Sequence, residues 1–275
     1  MANGSRSSPP DAAGRAHQLM LGFAERTGLT SDRSPERYLW TDAFAVCNFL
    51  GLGQTELALK LVDQVHRTLG PRRASGNEDH PTVDGLRIGK KLPERGPDEP
   101  LDERLEWDRD GQYFHYLTKW MHALDQVARR TGEQKYNLWA RELADTAHRA
   151  FTYFEPVGRG GRRMYWKMSV DLSRPLVASM GHHDPLDGYV TCLQLAATAA
   201  RLGTAGHGPS LVDVAADLRA MLPTDLTTTD PLGLGGLLTD AWRLDQLERG
   251  TAVEGPQRDA RPLITPARPK LSTVL

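Results

Sequence analysis

The stretch TDAFAVCNFLGLGQTELALKLVDQVHRTL, Thr41 to Leu69, decides the fold class. Its first half carries Phe44, Ala45, Cys47, Asn48 and Leu50 behind a Thr41-Asp42 start. Threonine suits an N-cap, and aspartate suits the positive end of the helix dipole. Gly51 and Gly53 stop that helix. Thr55 to Leu69 begins another at once, with Leu57, Leu61, Val62, Val65 and Leu69 at helical spacing. Two amphipathic helices joined by a few residues form a helical hairpin.

The same pattern extends in both directions. Asp11 to Thr27 reads as a helix with Leu19, Met20, Phe23 and Ala24 on its apolar face, stopped by Gly28. Beyond a loop of roughly 40 residues, Gly70 to Asp110, a fourth helix is expected from Asp110-Gly111 to Arg130. A fifth follows from Glu133 to Phe154, and a second long loop covers Glu155 to His183. Asp184-Pro185 and Asp230-Pro231 pair an N-cap residue with proline at the first helical position, which predicts a sixth helix ending at Gly203 and an eighth ending near Gly250. The seventh is Ser210 to Met221. The chain therefore reads as all-α, with repeated two-helix units stacked on their neighbours. If the helices alternate in direction, the long loops and the acidic helix starts gather at one end.

The domain reading is a disordered N-terminus, residues 1–10, one helical-hairpin domain, residues 11–250, and a disordered tail, residues 251–275. The tail holds Pro256, Pro262, Pro266 and Pro269 and lacks a helical period. The eighth helix, with Leu234, Leu237, Leu238, Trp242, Leu244 and Leu247, carries more apolar surface than one neighbouring hairpin covers. That predicts self-association through the C-terminal hairpin face.

Composition narrows the function classes. With 34 basic and 35 acidic side chains the formal net charge is -1, so no nucleic acid or anionic membrane is expected as partner. No run of about 18 apolar residues is present, and Met1 to Pro10 lacks the apolar core of a signal peptide, so the expected location is the cytoplasm. Cys47 and Cys192 both fall in expected helices, which argues against a disulfide framework or a cysteine metal site.

Three segments mix polar and aromatic groups. Leu105 to Tyr116 contains Trp107, Asp110, Gln112, Tyr113 and His115 around one expected helix start. Aromatic faces take the C–H surfaces of sugars, carboxylates and amides take hydroxyls, and paired carboxylates work as acid and base at a glycosidic bond. Asp110 reads equally as an N-cap, and Tyr113 and His115 as core. Lys167 to Pro175, with Asp171 and Arg174, leads into Gly181 to Gly188, with His182, His183, Asp184 and Asp187. Adjacent histidines at a helix start suit proton transfer. Zinc with His80 or His115 as a further ligand is disfavoured, because adjacent histidines rarely reach one ion and no HExxH spacing exists. Asp184 and Asp187 read as well as a cap and a dipole partner. Glu78 to Lys91, with Arg87, suits a lid over the end of the array. Trp40, next to Asp42, is a candidate sugar platform or a core residue.

Leu39-Trp40-Thr41-Asp42, Asp110 to Tyr116 and Gly181 to Gly188 resemble inner-helix starts of an (α/α)6 toroid. The likeness is to the six-hairpin glycosidase-like superfamily, with a distant similarity to the unsaturated glucuronyl hydrolase and N-acylglucosamine 2-epimerase families, over about Tyr38 to Glu248. It implies a funnel lined by inner-helix N-terminal ends. The glycosidase branch would place acid and base on Asp110 and on Asp171 or Asp184. The epimerase branch would place histidines on His115 and on His182 or His183. Trp40, Asp42, Arg87, Trp107, Gln112, Tyr113, Arg174, Asp184 and Asp187 would bind a carbohydrate or another small polar substrate. No cofactor and no metal is implied. Eight expected helices fall short of the twelve in a full ring, so the expected architecture is an incomplete toroid. A non-catalytic helical scaffold, binding a protein or a glycan on the same face, is the competing reading.

Overall fold

The computed structural model describes residues 11–70, 79–155, 161–179 and 181–253. The expected disordered N-terminus and residues 254–275 of the expected tail lie outside the described residues.

The all-α reading holds at the level of class. Among the described residues the elements begin with α1 (Ala12–Arg26), α2 (Leu39–Gly51), α3 (Thr55–Leu69), α4 (Glu103–Asp108) and β1 (Gln112–Tyr113). They continue with α5 (Phe114–Thr131), α6 (Gln134–Phe151), β2 (Thr152–Glu155), β3 (Gly161–Met164), β4 (Lys167–Met168) and β5 (Pro175–Val177). The chain closes with α7 (Asp184–Arg201), α8 (Val212–Ala220) and α9 (Pro231–Val253).

The hairpins α2–α3, α5–α6 and α7–α8 pack as sequence neighbours, and α2, α5, α7 and α9 pack side by side in that order. These four run the same way. The N-terminal residues Trp40 of α2 and His115 of α5 touch, and the C-terminal halves of all four border one cavity. The core lies between this row and the outer helices, around Phe49, Trp120, Leu117, Phe151 and Tyr189. Trp120 is fully buried and donates from its indole to His66 Nε2 at 3.1 Å, so the largest core side chain leaves no donor unpaired.

Several expected boundaries move, each for a local reason. Helix α2 begins at Leu39, not Thr41, because the Asp42 carboxylate reaches back to the Tyr38 N–H at 2.8 Å. The fourth expected helix start, Asp110-Gly111, is instead the entry to strand β1, and the helix begins at Phe114. Gly111 has φ 147°, and a Cβ there would sit 2.8 Å from both Lys167 Cε and the Met168 carbonyl, so only glycine fits this crossing. Helix α9 runs three residues past Gly250, to Val253.

The two long loops are not featureless. β1, β4 and β5 form an antiparallel three-stranded sheet, and β2 and β3 form a hairpin. The first loop is pinned across the N-terminal ends of α2 and α5. Leu39 N–H donates to the Ile88 carbonyl at 3.0 Å, and Ile88 N–H donates to the Gly111 carbonyl at 2.8 Å. Leu86 and Ile88 are fully buried, which makes this segment a fixed cover. Among the described residues no helix is long and apolar enough to cross a membrane.

Candidate active site

Helix α5 places His115, Lys119, His122 and Gln126 on one face, and α7 places Asp184, Asp187, Thr191 and Gln194 on the face opposite. Spacings of three and four residues stack such side chains in a row. Lys119 Nζ lies 2.8 Å from Asp187 Oδ1, and the Thr118 hydroxyl donates to Asp187 Oδ2. From α9, Arg243 reaches the same Oδ1 at 3.2 Å and also bonds Asp240 at 3.2 Å, Thr191 at 3.0 Å and Gln194 at 2.8 Å. A charged lattice thus ties α5, α7 and α9 together inside the protein.

Burial and the lattice together set the protonation states. Burial opposes ionisation of Asp187, but Lys119 and Arg243 outweigh it and hold the carboxyl below the usual carboxylate range. Asp184, three residues earlier, makes no such pair. Burial, reinforced by the Asp187 charge, pushes its pKa up to about 7, and its Oδ2 has no hydrogen-bond partner. Burial also pushes the His115 imidazole down to about 4, so the ring is neutral at pH 7, and its Nδ1 is unpartnered. His115 feels both Asp187 and Lys119, as does Asp184. A carboxylic acid and a neutral imidazole, each with an unpartnered polar atom, therefore share the field of one fixed ion pair.

Aromatic rings surround His115. Trp40 lies 5.7 Å from it between ring centroids, Tyr113 5.4 Å and Tyr116 4.8 Å, while Trp166 stacks at 6.2 Å. Trp107 meets Trp166 edge-on at 4.6 Å and is 52% exposed, so the wall reaches solvent. Tyr113 is closed in from behind by Lys167, whose ammonium lies 5.3 Å from the ring and bonds Glu106 at 2.8 Å.

The structure thus brings together Trp40, Trp107, Tyr113 and His115, and places Asp184 one helical turn before the Lys119-bound Asp187. Most other expected site residues are committed to holding the chain. The Asp110 carboxylate accepts from Arg87 at 2.6 Å and from the Gly89 and Gly111 N–H groups, both at 3.0 Å. Gln112 is fully buried and bonds Leu86 N–H at 2.8 Å and the carbonyls of Val170 at 2.7 Å and Asp84 at 3.2 Å. Asp171 closes a surface turn through Ser169 and Ser173, and Arg174 bonds the Arg95 carbonyl. Asp42 pairs with buried Arg37, and burial raises its pKa to about 6. His183 bonds the Leu226 carbonyl at 3.1 Å, and His182 is exposed beside it.

Lys119, His122, Trp166, Gln194, Asp240 and Arg243 are absent from the sequence-based candidates. Trp166 lies in the turn between β3 and β4, but the others carried a signal as polar residues repeating at three and four between apolar ones, a pattern that an exposed helix face also gives. At the far end of the row, a cavity of about 590 Å³ opens between the C-terminal halves of α2, α5, α7 and α9. His122, Gln194 and Arg243 border it and connect it to the lattice. Among the described residues no three His, Cys, Asp or Glu side chains cluster in a way that could hold a metal ion.

No protein-family model, no curated protein and no solved structure matches this chain.

Proposed function

We propose that the chain is a carbohydrate-active enzyme of the (α/α)-toroid type, in which Asp184 acts as general acid on a sugar seated against Trp40 and Trp107. The observation that carries this reading is Asp184 itself. It is a buried carboxyl with an unpartnered oxygen, poised near neutrality beside an ionised carboxylate of the same helix. Environments that drive neighbouring carboxyls apart in pKa are the usual means of assigning acid and base roles at one pH.

In a hydrolytic step, protonated Asp184 gives its proton to the glycosidic oxygen as the C–O bond breaks. Neutral His115 takes a proton from the attacking water, whose oxygen bonds to the sugar carbon. Asp187 stays ionised throughout and holds Lys119 in place. Fixed charges of this kind need no rearrangement when charge develops on the sugar. In this reading α2, α5, α7 and α9 are inner helices of the toroid. A second reading keeps the same residues but uses neutral His115 to remove a carbon-bound proton, which is sugar isomerisation. It is favoured by the open Nδ1 of His115.

The experiment is a panel of aryl glycosides and free sugars, followed by absorbance for hydrolysis and by proton NMR in deuterated water for isomerisation. Turnover that Asp184→Asn abolishes is expected. Full turnover in Asp184→Asn overturns the assignment. Saturation-transfer NMR that detects no sugar bound at millimolar concentration overturns the substrate class.

A further inference from the structure

The cavity between the C-terminal halves of α2, α5, α7 and α9 lies at the opposite end of the helix row from Trp40 and His115. Its wall carries Arg129 and Arg130 from α5, Arg201 from α7 and Arg243 from α9, and no aspartate or glutamate lines it among the described residues. Arg243 is satisfied by Asp187 and Asp240. Arg129, Arg130 and Arg201 are exposed, and Arg129 also acts from a distance on the buried Asp125 carboxyl. Trp242, 62% exposed, offers a flat apolar face on the same wall, and Gln246 offers an amide.

Arg129 and Arg130 sit in the last turn of α5 and Arg201 in that of α7, where the helix dipole favours a basic residue. The dipole does not account for their convergence on one hollow that has an exposed indole and no lining acid. Guanidinium forks match phosphate oxygens with paired hydrogen bonds. A volume of about 590 Å³ suits a ligand of nucleotide or sugar-phosphate size.

We propose that this cavity binds a phosphorylated small molecule, its phosphate held by Arg129, Arg130 and Arg201 and its ring laid against Trp242. The site is separate from the candidate active site and does not depend on its chemistry.

Calorimetric titration in low-salt buffer tests it with ADP, glucose 6-phosphate, inorganic pyrophosphate and adenosine. ADP or glucose 6-phosphate is expected to bind, whichever carries the matching ring, and adenosine to bind at least about tenfold more weakly than ADP. Arg129→Gln with Arg201→Gln is expected to weaken the phosphorylated ligand by about tenfold or more without lowering the melting temperature, because both side chains are exposed. Trp242→Ala is expected to weaken the ring-bearing ligand and leave pyrophosphate unchanged. No heat from any phosphorylated probe at millimolar concentration overturns the proposal, as does undiminished affinity in the double variant. An unchanged ring-bearing ligand in Trp242→Ala overturns the place given to the ring.

Discussion

Lys119 of α5 holds Asp187 of α7 at 2.8 Å, and both a protonatable Asp184 and a neutral His115 feel the charges of this one ion pair. The Lys119 side chain is 18% exposed and that of Asp187 7%, so water screens the pair little. Removing one partner of a buried pair leaves an uncompensated charge.

Lys119→Met is therefore expected to destabilise the protein by about 2–3 kcal/mol, at the low end for a buried pair because Arg243 still neutralises Asp187. Urea unfolding at pH 7 measures it. A loss below about 0.5 kcal/mol would place the pair among those that contribute nothing net. Lys119→Met with Asp187→Leu should recover part of the loss, since two apolar side chains leave no buried charge behind.

Asp184→Asn is expected to stabilise the protein at high pH. The folded-state pKa is raised from 3.8 to about 7, so the folded protein keeps a proton that the unfolded chain has released between those values. Wild-type stability therefore falls as pH rises through that window, by up to about 4 kcal/mol. Asparagine cannot ionise and escapes that fall. Thermal melts at pH 4.5 and pH 8.5 should show the variant gaining on wild type at the higher pH. Equal differences at both would mean that Asp184 ionises as freely in the folded protein as in the unfolded chain.

His115 and His122 act in the opposite sense. Burial, with Arg243 adding at His122, depresses both pKa values from 6.5 to about 4. The stability they contribute is complete above about pH 6.5 and is lost as pH falls towards about 4, where the unfolded chain takes up protons first. His115→Gln with His122→Gln should flatten the acid limb of the stability curve. An acid limb as steep as in wild type would assign the loss to other groups.

The hairpins were legible in the sequence because apolar residues recur along them at helical spacing. Thr55 to Leu69 was read with the bounds that α3 has. The small sheets were not, since strands as short as Gln112–Tyr113 and Lys167–Met168 contain no period to read. The sequence offers Asp110 as a catalytic carboxylate or a helix cap, and Asp184 chiefly as a cap. Asp110 instead clamps two loop amides, and Asp184 falls inside α7, where His183 takes the capping position without a side-chain bond. Trp40, Tyr113 and His115 were legible as a mixed aromatic and polar group. The Lys119–Asp187–Arg243 lattice was hidden because its residues sit on three helices, and inward-facing polar stripes look the same in sequence as solvated ones.

Gln112 gives the sharpest separation between a binding residue and a structural one. It is fully buried, and its amide joins three backbone groups from separate segments: Leu86 N–H and the carbonyls of Asp84 and Val170. Leucine would fill the space but strand all three, at a cost of about 3 kcal/mol in total, or a drop in melting temperature of about 9 °C. Glutamate would keep the acceptor that Leu86 N–H needs, but its charged form faces two carbonyl oxygens. Its carboxyl should therefore have a raised pKa, and the protonated form can donate to one of the two carbonyls. Gln112→Glu is thus expected to be nearly as unstable as Gln112→Leu at pH 8 and to recover towards wild type as pH falls to 5, while Gln112→Leu shows no such recovery. Thermal melts of both variants at the two pH values decide it. Two variants with wild-type stability at both would free Gln112 from its structural duty and return it to the candidate binding residues.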